Sequence, residues 1–286
     1  MAQVIVLGTM QDGGLPQLGC DCHNCLSVLQ GSQPRRYVAS LGIMTAQGTL
    51  LVDATPDIAF QYHLLCESFG KSPMNNGKSG LGPISGVLIS HLHSGHYIGL
   101  LSLGKEVVST HQLPIYATEE VSHFLQSNKP FSYLLSRQQI LFKNISPNHV
   151  LEMGDGVTLM PFEVPHRNED GNTIGLEITN PETCKTLIYI PDVDYLDNNI
   201  VGRVKKASHV LMDGTFYSKS EIDRQKMVPH PTMLETIKIF GIQTTGQFFF
   251  THLNHSNPVN NPESLERKQV EEKGYRIAQE GQLIEF

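Results

Sequence analysis

A layered α/β fold is expected from three features of the chain. Short apolar runs such as "QVIVLG", "TLLVD", "GVLIS" and "FFFT" recur along the 286 residues, each bounded by turn residues. Stretches with helical spacing, among them "IAFQYHLLCESF", "EEVSHFLQ" and "PESLERKQVEEKG", alternate with those runs. Strands and helices in that alternation bury their apolar faces by stacking helices on both sides of sheets. Histidine or aspartate also falls at the end of one apolar run after another: Asp53, His91, His166, Asp192, Asp213 and His252. Strands lying side by side would gather those groups at one sheet edge, where loops commonly carry catalytic side chains.

The elements follow in order. "QVIVLG" reads as a first strand, and the glycine-rich loop "TMQDGGLPQLG" follows it. That loop lacks the GK[ST] of a phosphate-binding P-loop, so its glycines serve tight turns. "GIMTAQGTLLVDATPD" is a hairpin turning near Gly48, and "IAFQYHLLCESF" is a helix. Residues 69–83 are rich in Gly, Ser, Asn and Pro and form a surface loop, either a lid or a tolerated insertion. "ISGVLIS" is a buried strand, and "GLLSLGKEVV" reads as the next helix. "PIYAT" is a strand, "EEVSHFLQ" a helix, and "GVTLMPFEV", "TIGLEITN" and "TLIYIPD" are strands. A helix, the strand "SHVLMDGTF", the helix "TMLETIKIF", the strand "TGQFFFTHL" and the helix "PESLERKQVEEKG" lead to "YRIAQEGQLIEF", expected to be a closing hairpin.

Composition limits the function. Hydrophobic residues at 40% and charged residues at 17% suit a packed domain rather than a disordered chain. One domain spanning 1–286 is expected. A net charge of −7 argues against a broad nucleic-acid footprint, while leaving room for a local pocket for an anion. No apolar run approaches the roughly 18 residues of a membrane span, and "MAQVIVLGTM" has no basic region ahead of a long apolar stretch. A cytoplasmic setting is the expectation.

Three of the five cysteines crowd into "GCDCHNC" as Cys20, Cys22 and Cys25. Such close spacing disfavours disulfides within the loop and suits three thiolates on a structural zinc, with a fourth ligand from elsewhere. Cys66 and Cys184 stand apart and read as small hydrophobes. A second cluster, "SHLHSGHYIGL", puts His91, His93 and His96 on the turn leaving a buried strand.

"HLHSGH" resembles the H-x-H-x-D-H signature of the metallo-β-lactamase superfamily, and the order Asp53, His91/His93/His96, His166, Asp192, His252 matches that superfamily's motifs over nearly the whole chain. "GLPQLGCDCHNC", "ATPDI", "DGTFYS", "NHSNP" and "GQLIEF" are similar to the branch containing coenzyme PQQ biosynthesis protein B. The Cys cluster and "THLNH" are similar to the cyclic phosphodiesterase of phosphonate catabolism. The resemblance implies an αββα four-layer sandwich with its site in a cleft between two related halves. It implies that His91, His93 and His166 form one metal site, that His96 and His252 serve a second, and that Asp192 bridges them. It makes His255 the fourth partner of Cys20, Cys22 and Cys25, and His230 an acid or orienting group, the alternative being an ordinary loop histidine. Asp53 and Asp213 are expected to hold ligands by hydrogen bonds rather than bind metal.

Gly95 stands where the superfamily motif has aspartate. The second site then keeps two imidazoles and one shared carboxylate, which predicts weak binding completed by water or an anionic substrate. Asp194, Glu169 and Asp170 are candidate substitutes. The retained histidines also depart from typical PQQ protein B sequences.

Metal with three protein ligands and an open position brings the pKa of bound water to about 7. Hydrolysis of a phosphodiester or small anionic ester by zinc, manganese or iron is therefore the leading expectation, with His230 protonating the leaving group. An iron-dependent oxygenase of the PQQ type is the alternative, because His96, His252 and Asp192 are a two-histidine, one-carboxylate set. A metal-binding protein without catalysis is the third. Arg167 and Lys105 are candidate anion contacts, and Tyr217 either reaches the cleft or packs.

Overall fold

The structure, a computed structural model, describes residues 3–68, 80–167, 171–224, 229–244 and 247–286. The first half of the chain contributes β1 (Gln3–Gly8), β2 (Ser40–Thr45), β3 (Gly48–Val52), β4 (Ile84–Leu88), β5 (Leu113–Ala117) and β6 (Ile140–Asn144). The second contributes β7 (Leu151–Gly154), β8 (Val157–Val164), β9 (Thr173–Asn180), β10 (Lys185–Ile190), β11 (His209–Asp213), β12 (Phe248–Thr251), β13 (Arg276–Ile277) and β14 (Leu283–Glu285). They form two mixed sheets, ordered β14-β1-β2-β3-β4-β5-β6 and β13-β12-β11-β10-β9-β8-β7. In each, an antiparallel meander leads into a parallel run: β3 to β6 in the first, β10 to β13 in the second.

Period-two alternation sorts the strand side chains into layers. Val4 and Val6, Leu50 and Val52, Leu187 and Tyr189, Leu211 and Phe249 point into the space between the sheets and form one core. Their neighbours Ile5, Leu7 and Leu51 face outward onto the helices Ile58–Ser68, Glu119–Ser127 and Phe131–Ser136. Ile188, Ile190, Met212 and Phe250 face the opposite way, onto Asn198–Lys206, Met233–Phe240 and Leu265–Glu272. Three apolar cores between two sheets and two outer layers of helices make the expected αββα order. Interior parallel strands such as β11 and β12 are buried on both faces, which is why they read as continuous apolar runs.

Several expectations need correction. "YRIAQEGQLIEF" is no hairpin: β13 extends the second sheet beside β12, whereas β14 pairs with β1 in the first. The turn between them is held to different sheets, by Ala278 N–H on Phe250 O (2.9 Å) and Gly281 N–H on Val6 O (2.8 Å). "GLLSLGKEVV" contains only the short 3₁₀ turn Ile98–Leu103, preceded by one helical turn at Ser94–Tyr97. Between residues 127 and 156 the sequence shows no element, yet the helix Phe131–Ser136 and strands β6 and β7 lie there. Both strands are sheet edges with half-exposed side chains, so neither carries the apolar run that marks an interior strand. Most of the loop predicted at 69–83 lies outside the described residues, as do Glu169 and Asp170.

Candidate metal centre

The polar strand ends do meet. Asp53 follows β3, His91 to His96 follow β4, His166 follows β8, Asp192 follows β10, Asp213 ends β11 and His252 follows β12. Asp53 and His252 take left-handed backbone conformations, with φ of 66° and 56°. Such positions cost about 1–3 kcal/mol and persist only where neighbours enforce them. Here Asp53 N–H bonds to Leu88 O and Leu253 N–H to Thr9 O, at 2.8 and 2.9 Å. His230 precedes the helix Met233–Phe240, whose Thr232–Glu235 capping box fixes the entering chain.

Asp192 is the hub. Its Oδ2 lies 3.0 Å from His252 Nε2 and 3.3 Å from both His91 Nε2 and His96 Nε2. Its Oδ1 lies 3.5 Å from His166 Nε2, which is itself 3.2 Å from His93 Nδ1. Asp192 Oδ2 and the Nε2 atoms of His91, His96 and His252 are buried without a hydrogen-bond partner. Four orphaned polar atoms converging on one locus would be costly unless a ligand satisfied them.

The outer ring nitrogens explain why those Nε2 atoms carry lone pairs. His96 Nδ1 donates to Asp53 Oδ2 (2.8 Å), and His166 Nδ1 donates to Asp194 Oδ1 (2.7 Å). Ser90 Oγ donates to Asp53 Oδ2 at 2.9 Å, so it accepts from His91 Nδ1 at the same distance. Thr215 Oγ1 donates to His252 O (3.0 Å) and accepts from His252 Nδ1 (3.1 Å). With each proton held at Nδ1, each Nε2 presents its lone pair inward, the tautomer a metal requires.

The separations also fit an ion. Bonds of 2.0–2.2 Å to nitrogen and oxygen at tetrahedral angles place ligand atoms about 3.3 Å apart, close to the 3.0–3.5 Å found around Asp192. The residues separate into His91, His93, His166 and Asp192 on one side and His96, His252 and Asp192 on the other.

Electrostatics agree. Burial, reinforced by His96, pushes the His91 imidazole down to about 3, so it stays neutral. Burial opposes the charge on Asp192, but His252, His91 and His96 outweigh it and hold the carboxyl well below its usual range. Burial likewise opposes a proton on His96, yet Asp53 and Asp192 outweigh it and raise that imidazole. Negative charge around His96 favours a cation there. His230 is raised to about 9: burial works against this, and Asp213, which accepts from Nδ1 at 2.6 Å, overcomes it with help from Asp192 and Asp194.

A second constellation lies beyond His252. His255 Nδ1 is 3.3, 3.5 and 3.6 Å from the sulfurs of Cys20, Cys22 and Cys25. Zinc–sulfur and zinc–nitrogen bonds of 2.3 and 2.0–2.1 Å at tetrahedral angles imply about 3.6 Å between such atoms. Burial pushes the Cys25 thiol up to about 12, and Cys22 and Cys20 add to the rise against the Gln17 amide. Thiolates packed this closely need a cation among them. The cysteines and His255 thus tie the loop after β1 to the loop after β12.

Other expected residues lie elsewhere. Asp194 backs His166 and takes a 3.4 Å bond from Arg167 N–H, so it orients the first site instead of completing the second. Tyr217 does not reach the cleft: its hydroxyl bonds Gln269 on the helix Leu265–Glu272, and its ring joins the outer core. Lys105 is exposed past the 3₁₀ turn. Asp53 and Asp213 are buried supports, Asp213 also accepting from Val193 N–H (3.1 Å) and Thr215 N–H (2.8 Å). Sequence reasoning does not single out Asp12, Ser90 or Thr215. Only Ser90, adjacent to His91, carries a sequence signal, because a hydroxyl before a ligand can orient it.

Fold and site together define a chain of the metallo-β-lactamase class. The family described as Beta-lactamase superfamily domain matches residues 49–253, and the chain belongs to it. Within it, the chain is 28% identical to the coenzyme PQQ synthesis protein B of Nitrosococcus oceani over 98% of both chains. It is 27% identical to the protein of that name from Bradyrhizobium diazoefficiens, over 99% of both. Zn(2+)-bound PqqB from Methylobacterium extorquens shares the fold over the full length of both chains, with a TM-score of 0.84 and 24% identity. A diphosphatase from the PhnP family shares it with a TM-score of 0.71 and 22% identity, over 100% of this chain and 97% of that one. Among the described residues no helix is long and apolar enough to cross a membrane.

Proposed function

We propose that this chain is a metal-dependent hydrolase acting on a phosphodiester or a related small anionic ester. The observation that carries the reading is the convergence of buried, unpartnered Nε2 atoms on Asp192 with His230 beside them. His91, His93 and His166 would hold one ion, His96 and His252 the second, with Asp192 shared, while Cys20, Cys22, Cys25 and His255 hold a structural zinc. Zinc, manganese or iron bound there would supply a water nucleophile near neutral pH and polarise the ester.

The chain's own groups do the rest. Asp53, Ser90, Asp194 and Thr215 keep the ring protons on Nδ1, so the imidazoles stay oriented. Asp213 holds one proton on His230 Nδ1, which leaves a second proton on Nε2 for the leaving oxygen. Hydrolysis adds the oxygen of water to phosphorus and breaks one P–O bond, and the departing oxygen takes up that proton. Ligands so poor in negative charge favour an anionic substrate over a neutral one.

Turnover of bis(p-nitrophenyl) phosphate by the zinc- or manganese-loaded chain tests this. His93→Ala is expected to drop to background while its circular dichroism is unchanged. Undiminished turnover in that variant would overturn the mechanism.

A second reading rests on the full-length likeness to PQQ synthesis protein B and on the His96, His252 and Asp192 set, which suits Fe(II). Anaerobic loading with Fe(II) followed by oxygen distinguishes it: oxygen uptake without ester hydrolysis favours an oxygenase. A bound zinc at the cysteine cluster with neither activity favours the third reading, a metal-binding protein without catalysis.

A further inference from the structure

Position 95 is where the superfamily carboxylate is missing, and the space it would fill is taken. A Cβ built on Gly95 would come within 2.7 Å of Asp12 Cα, and closer still to Asp12 Oδ1. Asp12 comes from the glycine-rich loop after β1, a strand of the same sheet as β4. Its Oδ1 accepts a 3.1 Å hydrogen bond from Gly95 N–H and lies 3.8 Å from His96 Nε2. That Nε2 is fully buried and has no hydrogen-bond partner.

We propose that Asp12 is the carboxylate of the second metal site, with Gly95 keeping open the space that Asp12 occupies. The function assigned to an aspartate on the histidine turn has moved to a loop 83 residues earlier. Any side chain at 95 would push that loop away, so glycine here is a steric requirement of Asp12. The inference rests on the metal-site reading above and amends it: the second ion would meet His96, His252, Asp192 and Asp12, an aspartate-containing set rather than a depleted one. Two dications facing two carboxylates retain positive charge, so preference for an anionic substrate stands.

The loop is held firmly enough to serve. Gln11 N–H bonds Leu253 O at 2.9 Å, and Gln11 Oε1 takes a 2.8 Å bond from Asn254 Nδ2. Gly14 N–H closes the turn on Gln11 O at 2.8 Å, and Leu15 exchanges backbone bonds with Arg36 at 3.0 and 2.9 Å. Further along, Cys20, Cys22 and Cys25 meet His255. Asp12 is therefore fixed from both ends against the segment that carries His252. Its side chain is 34% exposed, which leaves it open to an entering ion.

The test is ion binding by the full chain, read apart from catalysis. Metal-free protein is titrated with Zn(II) against a competing chelator, bound ions are counted by elemental analysis, and Co(II) spectra report each site. Wild type is expected to take three ions, one at the cysteines and two at the histidines. Asp12→Asn, nearly isosteric, should weaken one of the histidine-site ions at least tenfold and alter its Co(II) absorption, leaving the other two as they were. Gly95→Ala retains every proposed ligand yet should weaken the same ion by displacing Asp12. Those two unaltered ions show that each variant is folded. Wild-type affinity for all three ions in Asp12→Asn overturns the proposal, and so does a wild-type chain that takes only two. Absence of ester hydrolysis alongside the expected ion pattern would reject the hydrolase and leave Asp12 in place.

Discussion

The two halves of the molecule deliver their imidazoles in different ways. The first half places His91, His93 and His96 on one turn after β4 and backs two of them with a single carboxylate: Asp53 bonds His96 directly and reaches His91 through Ser90. The second half spreads His166, Asp192, His230 and His252 over four separate strand ends or loops, with Asp194, Asp213 and Thr215 each supporting a different ring. Asp53 follows β3 in the first sheet, and Asp213 ends β11 in the second. Asp53 holds histidines of the candidate metal centre; Asp213 holds His230, whose proposed duty is proton transfer. On the proposed reading, one half serves chiefly binding and the other bridging and chemistry.

The largest effect should come from the residue that joins the halves. Asp192→Ala removes the carboxylate facing four imidazoles and is expected to lose both histidine-site ions and to reduce hydrolysis to background. Elemental analysis after chelator dialysis checks it, and two retained ions would mean the halves bind independently. Next, Asp53→Asn and Asp213→Asn should separate. The first is expected to weaken metal binding about 10–100-fold. The second should slow turnover about 10²–10⁴-fold with a smaller change in metal affinity. Equal behaviour in chelator competition and in rate would erase the proposed division of labour.

Smaller effects sharpen the comparison. Cys25→Ser should remove one zinc and, at a cost of ~2 kcal/mol, lower the melting temperature by about 4–8 °C. It should also weaken the second histidine-site ion by loosening the Asp12 loop, which Zn(II) titration would read. Tyr217→Phe loses only the bond to Gln269, worth about 1 kcal/mol. Its melting temperature should fall by about 2–4 °C while turnover stays as in wild type. A rate defect there would return Tyr217 to the cleft.

Local pattern made much of this legible. Interior strands announce themselves because both faces are buried, and the aspartates and histidines that end them need no long-range knowledge to be noticed. The edge strands β6 and β7 escaped because one-sided burial leaves no apolar run. The final two strands misled because turn and strand signals cannot say which sheet each will join. Asp194 shows a similar limit: its residue type suited the second site, but its place after β10 directs it to His166.

The layered class, the strand-end positions and the residue types able to bind metal can be read along the chain, since periodicity and side-chain chemistry are local properties. Convergence came with the folded chain: which nitrogens stay unpaired around Asp192, which carboxylates support them, and that Asp12 stands over Gly95. Distance separates the two. A hydrogen bond or a metal site depends on a few ångströms between atoms whose residues lie tens to hundreds of positions apart, and no reading along the chain measures that separation.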